Sequence, residues 1–353
     1  MRVLRVLTVL LFLAGCGAAP PDQARFTRVD LPAGAVPARI AADGDDLLVA
    51  TRVDGKPGLL RYESGRGTEI PLTPATGYGA EAYWYSLTAR GRDILAIGGK
   101  TGGAHGNVRW SVWRTTADGG LAEQPQPFST FGGLGGGALI DGVIPATGGP
   151  LLVGTWQSRS AGADAMIWTT DGAYWNRQNP AGTSLESTSA SLKYPEAAVA
   201  HGDDVVIAGW VVAKGRQQPV VWTLRDGSAT MTPLPDAGRT GAGITVSCTD
   251  TCVIAGKVEG RLAVWRQSGN AWRRLTDVPD VPVGDRDRPV PPLGDNLVYS
   301  DRGTVRVATL GDEVRDAAGP TGVVTAVARV GDTTYVLAGP DEDNQTLWRA
   351  DQG

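Results

Sequence analysis

The side chains that build metal centres and covalent frameworks are scarce in this chain. Its 353 residues include 3 Cys, 2 His and 3 Met. Two histidines cannot make a His-rich metal centre, and three cysteines cannot staple a disulfide-dense scaffold. No cofactor and no bound metal are therefore expected. Basic blocks are missing too. The formal net charge is −4 with acids and bases interspersed, which argues against a nucleic-acid partner. No segment keeps a useful helical period. The Gly-rich stretches never take the Gly-x-x-x-x-Gly-Lys-Ser/Thr order of a phosphate loop. Charged residues make up 20% and hydrophobic residues 42%, so the chain is not a disordered charged tail.

Turn-formers and indoles are abundant: 49 Gly, 23 Pro and 11 Trp. There is no Gly-X-Y period, which excludes collagen. This much Gly and Pro points to many turns and short strands.

The first fifteen residues have the form of an export signal. Arg2 and Arg5 precede an apolar run, Val6 to Leu13, that is too short to span a bilayer. Leu13-Ala14-Gly15-Cys16 resembles the lipobox of bacterial lipoproteins at all four positions. The resemblance implies a diacylglycerol on the Cys16 thiol, cleavage before it, and anchorage on the extracytoplasmic side of the cell membrane through its acyl chains. The alternative is an ordinary secretory signal. The expected division is a signal peptide at 1–15, a lipidated tether at 16–24 and one folded domain at 25–353. Losing Arg2 and Arg5 moves the net charge from −4 to −6.

Export permits disulfides. Cys248 and Cys252 flank Thr249-Asp250-Thr251 between two apolar runs, which reads as a hairpin with its cysteines face to face. A bridge is expected, and it would close only a short loop. A redox or metal pair is the alternative, disfavoured by the lack of a Cys-x-x-Cys motif and of a histidine nearby in sequence.

A phrase recurs: a Gly-Asp-like turn, four or five apolar residues, then Ala or Gly. Its apolar runs begin at 47, 94, 151, 205, 252, 297 and 335. A second phrase, two residues then Trp, follows at Trp113, Trp168, Trp222, Trp265 and Trp348, with Tyr62 and Val307 in the same role in the two remaining units. Turn pairs such as Asp118-Gly119, Asp171-Gly172 and Asp226-Gly227 come next. Each unit thus reads as strands A, B, C and D. The expected fold is all-β, a seven-bladed β-propeller of four-stranded antiparallel blades. The Trp residues read as packing between blades. The last unit shows A, B and C without D, while the segment 25–31 is a spare strand. Pairing the two would close the ring and remove an open edge.

Met166 to Trp175 resembles the Asp-box of sialidase-type (BNR) propellers, Ser/Thr-x-Asp-x-Gly-x-x-Trp, with the turn one residue short. Asp-boxes are structural turns, so the resemblance implies a fold and no activity. A sialidase-like enzyme needs an arginine triad, a Tyr-Glu pair and an acid. No Arg-Ile-Pro segment precedes the first unit. The nearest combination, Glu81-Ala82-Tyr83-Trp84-Tyr85, reads as aromatic packing on an inner strand.

In such a ring the A–B and C–D turns share one face, and the B–C and D–A connections share the other. The second set is longer and more variable here, so the functional face is expected there. The B–C loops of units two to four place Trp156 and Trp210 at equivalent positions just past strand B. They bring Lys100, Arg159, Lys214 and Arg216 to the same rim. Indoles beside cations suit a protein hot spot, a sugar or an acidic ligand. The competing reading makes these residues solvated loop charges and end-covers of the sheets. Asp341-Glu342-Asp343-Asn344 lacks EF-hand spacing and reads as a solvated turn. His105 and His201 fall on opposite faces. No catalytic residue is expected. The function read from the sequence is a membrane-anchored binding module for an envelope protein or a glycan, with a glycan-active enzyme as the alternative.

Overall fold

The computed structural model describes residues 24–63, 65–102, 106–310 and 314–351. The lipobox Cys16, the signal segment and His105 lie outside them. Seven sheets follow one another around a ring. Blade one runs Val36–Asp43, Asp46–Val53, Lys56–Glu63 and Arg66–Glu69. Blade four, the longest, runs Ser191–His201, Asp204–Ala213, Arg216–Arg225 and Ser228–Pro233. The core is divided among the seams. One hydrophobic cluster packs blade three on blade four through Val153, Ile167, Ile207 and Trp222. Others pack blade four on five, one on two, two on three and seven on one. The remaining three fill the seams of blade six.

The two recurring phrases meet in three dimensions. Trp113, Trp168, Trp222 and Trp265 on the C strands are fully buried. In three of them Nε1 donates to a carbonyl of the crossover entering the same blade: Thr130, Ser184 and Pro235, at 2.8–3.1 Å. The indoles of Trp113, Trp168 and Trp222 also lie over the glycine that ends the apolar run of strand B, Gly98, Gly154 and Gly209. A Cβ on Gly209 would sit 2.3 Å from the Tyr194 carbonyl and 2.8 Å from the Trp222 ring. A Cβ on Gly154 would sit 2.3 Å from the Ala138 carbonyl and 3.1 Å from Trp168. Glycine is therefore needed where an indole packs on its own blade.

Register corrects two assignments in this series. Trp222 faces Ile207 across the ladder. The residues at that place in blades one and six are Leu60, opposite Val49, and Arg306, opposite Tyr299. Tyr62 and Val307 are not the Trp equivalents. At the glycine position these two blades carry Thr51 and Asp301, since neither has an indole of its own strand C opposite.

The ring closes at its N-terminal segment, on two blades rather than one. Thr27 and Arg28 pair antiparallel with Arg349 and Trp348, which completes blade seven. Ala24 and Arg25 pair parallel with Ala317 and Ala318 of blade six. Phe26, 8% exposed, packs into the cluster between those blades.

Blade six departs from the four-strand expectation in another way. Its sheet is Asn296–Asp301, Thr304–Thr309 and Val314–Thr321 plus the N-terminal pair, with no regular inner strand. The segment 286–292 lies in that place, held by Thr245 Oγ1 on the Pro289 carbonyl and Ser247 Oγ on the Pro292 carbonyl. Pro289, Pro291 and Pro292 have no N–H to give, so a ladder cannot form. Blade two has the opposite excess: Leu72–Thr73 adds a fifth strand, parallel to Leu121–Ala122.

Cys248 and Cys252 are ladder partners joined by a disulfide, Cα–Cα 4.0 Å. In the Asp-box-like segment, Asp171 Oδ1 accepts the amides of Ala173 and Tyr174 at 3.0 and 2.9 Å. These donors hold its carboxyl below the usual range. The segment is a hairpin turn, as the resemblance implies.

Candidate functional site

The inner strands share a defect that shapes the channel. Six of them carry a β-bulge at the same height, centred on Ala38, Tyr85, Ile140, Glu196, Ile244 and Thr325. A bulge leaves backbone groups outside the ladder. Channel side chains from neighbouring blades satisfy several of them. Arg39 donates from Nη1 to the Ala38 carbonyl at 2.7 Å and from Nε to the Tyr85 carbonyl at 2.9 Å. Arg288 reaches the carbonyls of Glu196 at 2.7 Å and Ile244 at 3.3 Å, and its Nη1 meets Glu196 Oε2 at 2.7 Å. Asp141 accepts Ser86 Oγ at 2.9 Å and the Ala198 amide at 2.8 Å, so it ties blade three to blades two and four. Burial pushes the Asp141 carboxyl up to about 6, against the pull of these donors and of Arg288 and Arg39. Burial likewise lowers the Arg39 guanidinium, opposed by Glu342 and Asp141.

Above this belt, on the B–C and D–A face, a cleft of about 330 Å³ opens where blades seven, one and two meet. Arg39, Arg52, Asp54, Tyr83, Trp84, Tyr85, Glu342 and Asp343 line it. Strand alternation sorts the aromatic run. Trp84 turns into the seam, 3% exposed, and donates to the Thr51 and Gly58 carbonyls. Tyr83 and Tyr85 face out, 38% and 37% exposed. The Arg52 guanidinium lies 3.7 Å over the Tyr83 ring. Lys100 Nζ is 5.9 Å from the same ring and 3.0 Å from Glu81. Farther along the rim, Arg109 stands 4.2 Å over Phe128 and 5.9 Å from Tyr78. Phe128 and Leu134 of the next crossover are exposed.

The six residues expected at the rim do not assemble into one site. Lys100, Trp156, Trp210 and Arg216 belong to strands that run farther than the sequence suggested; only Arg159 and Lys214 lie in connections. Lys214 and Gly215 form a two-residue hairpin with φ of 50° and 70°, so the ladder of blade four continues to the turn. Trp156 and Trp210 are not at equivalent positions. Trp168 faces Leu152 as Trp222 faces Ile207, which puts Trp156 level with Val211 and Trp210 level with Thr155. One residue of offset points them to opposite faces of their blades. Trp156 meets Trp168 edge-on and has Arg177 3.5 Å over its ring. Trp210 stacks on Tyr194 at 3.9 Å and donates to Glu196 Oε1. Both indoles are half-buried and already packed.

The cleft instead unites two segments that the sequence reading set aside as structural, Glu81–Tyr85 and Asp341–Asn344. They are far apart in the chain and belong to blades two and seven, which ring closure brings to either side of blade one. The Asp341 turn is built from its own side chain, which accepts the Asp343 amide and Asn344 Nδ2. That leaves Glu342 and Asp343 to face the cleft.

No protein-family model matches the chain, and no curated protein matches its sequence. Solved structures do match in fold. Puromycin hydrolase matches with a TM-score of 0.57 and 16% identity, over 89% of this chain and 52% of that one. The β-propeller domain of the Trilobed protease from Pyrococcus furiosus, described as having an open velcro topology, matches with a TM-score of 0.52 and 10% identity over 92% and 95%. YCF48 from Cyanidioschyzon merolae matches with a TM-score of 0.53 and 13% identity over 92% and 98%. The chain spans about half the length of puromycin hydrolase. At these identities the likeness is one of fold, a β-propeller.

Proposed function

We propose that this chain is a non-catalytic recognition module, displayed outside the cytoplasm on a lipid attached to Cys16, whose channel-mouth cleft binds a segment of a partner protein. The observation that carries this reading is the cleft itself. Two half-exposed tyrosines, one capped by Arg52, stand beside the carboxylates of Glu342 and Asp343. Tyr and Arg are the residues on which protein hot spots are built. Exposed Phe128 and Leu134 on the adjoining crossover favour a protein over a sugar. Eight residue steps separate Cys16 from Ala24, the first paired residue among the described ones. Such a tether reaches at most about 29 Å, which keeps the disk close to the membrane.

A second reading, a glycan-active enzyme of the sialidase kind, draws on the same side chains: two arginines, two tyrosines and three carboxylates line the cleft. Against it, Arg39 is engaged by backbone carbonyls and Arg52 by a ring, and Arg288 is held on Glu196. Among the described residues, neither cleft tyrosine donates its hydroxyl to a carboxylate. The test is crosslinking with affinity capture of the anchored protein, wild type against the double variant Tyr83→Ala, Tyr85→Ala. A specific partner should be captured by the wild type and at least ~10-fold less by the variant, with melting unchanged. Equal capture by both would overturn the reading. Release of sugar from a fluorogenic sialoside by the wild type would favour the enzyme.

A further inference from the structure

The face opposite the cleft carries a second cluster. His201 closes the inner strand of blade four, and Cys248 closes the inner strand of blade five. Cys248 is level with Ala200 of blade four, so His201 stands one residue beyond that place; the seam between the two blades brings it to the cysteines although the sequence shows no histidine near them. One imidazole nitrogen and the two sulfurs all fall within 4.8 Å of one another. Cys252 is fully buried, and Cys248 and His201 are half-buried. Asp204 is the ladder partner of His201. Its carboxylate is gripped by Arg225 from two nitrogens.

We infer that Cys248, Cys252 and His201 form a site for a borderline-soft divalent ion such as Zn²⁺ that opens when the disulfide is reduced. As oxidised, the sulfurs are bonded to each other and hold no metal. A dithiol reductant changes this by exchange. Its two S–H groups become an S–S bond, and the two electrons and two protons go to Cys248 and Cys252. The incoming ion then displaces those two protons. Each thiolate and the neutral His201 nitrogen supply an electron pair, which makes three of the four ligands of a tetrahedral site and leaves the fourth position to water. Two thiolates and an imidazole select zinc-like ions over Mg²⁺ or Ca²⁺. Asp204, fixed by Arg225, stands where a carboxylate can orient the histidine. The site bridges two blades, so occupancy clamps the seam from the face opposite the cleft.

The test uses the full chain carrying Cys16→Ser, so that only two thiols remain. The chain is reduced with a dithiol, desalted without oxygen and titrated with Co²⁺. The reduced chain should take one equivalent, with thiolate-to-cobalt charge-transfer bands that Zn²⁺ abolishes. The oxidised chain should show none. His201→Asn should weaken uptake at least ~10-fold while the thiol count stays at two. Three results would each overturn the inference: no uptake by a reduced chain with two titratable thiols, undiminished uptake by His201→Asn, or loss of the strand signal on reduction, because the ligands meet only in the folded ring.

Discussion

Blade four and blade six begin from the same Gly-Asp phrase. The strands of blade four are 11, 10, 10 and 6 residues long. Blade six has strands of 6, 6 and 8, a proline-bearing segment for an inner strand, and a two-residue strand from the other end of the chain. Blade four keeps both its Trp and the glycine beneath it; blade six has Arg306 and Asp301 in their places. A blade with its own ladder and indole holds itself together, whereas one without them depends on its neighbours and on the closing segment. The N-terminal residues therefore matter most where the repeat is weakest.

The largest effect should come from removing that segment. Deleting residues 24–31 opens blades six and seven and exposes their seam. Burial of Phe26, Val29 and Leu31 alone contributes roughly 5 kcal/mol. Thermal melting should shift down by about seven degrees, on the order expected for that loss. Melting at the wild-type temperature would show that the ring does not depend on closure.

Trp222→Ala should cost ~4 kcal/mol, since it empties a fully buried site in blade four and leaves the Ser184 carbonyl without its donor. Arg306→Ala, at the corresponding place in blade six, should cost under ~1 kcal/mol, because that side chain is a third exposed and its ion pair to Asp301 is 3.8 Å long. Denaturant unfolding of the two variants measures the contrast directly. Similar losses would mean that blade six is as self-supporting as blade four.

A smaller contrast than that between Trp222 and Arg306 belongs to the channel belt. Asp141 has a folded-state pKa of about 6 against an ordinary 3.8. The folded chain therefore binds more protons than the unfolded chain between those values. Its contribution to stability is greatest on the acid side and falls as pH rises from about 4 to about 6, by roughly 2 kcal/mol. Asp141→Asn should remove that slope from the difference curve and leave the fold at pH 7 intact. An unchanged slope would place the titration elsewhere.

Much of the ring was legible because each unit states its own turns. Gly-Asp pairs and apolar runs are local signals, and seven copies fix the blade count. The hairpin disulfide was legible for the same reason, since its two cysteines face each other across three residues. Strand ends were less so. Trp210-Val211-Val212 carries no sign that the ladder goes on, and continuing it one residue differently reverses a side chain. The rim site was misjudged on this point: Trp156 and Trp210 were matched by their distance from the apolar run, whereas register decides which way an indole faces. Glu81–Tyr85 and Asp341–Asn344 had no local reason to be joined. His201 and the cysteines were likewise separated by a whole unit.

The sequence by itself determined the repeat, the number of blades, the place of the turns and the need for a closing strand. These depend on periods of two and on glycine at turns, which nearby residues settle. Only the tertiary structure decided that the closing segment serves two blades, that Gly98, Gly154 and Gly209 each answer an indole, and that Tyr83, Arg52 and Glu342 share a cleft. Those facts depend on contacts across seams, where the angle between blades sets which residues meet, and no short stretch of chain encodes that angle.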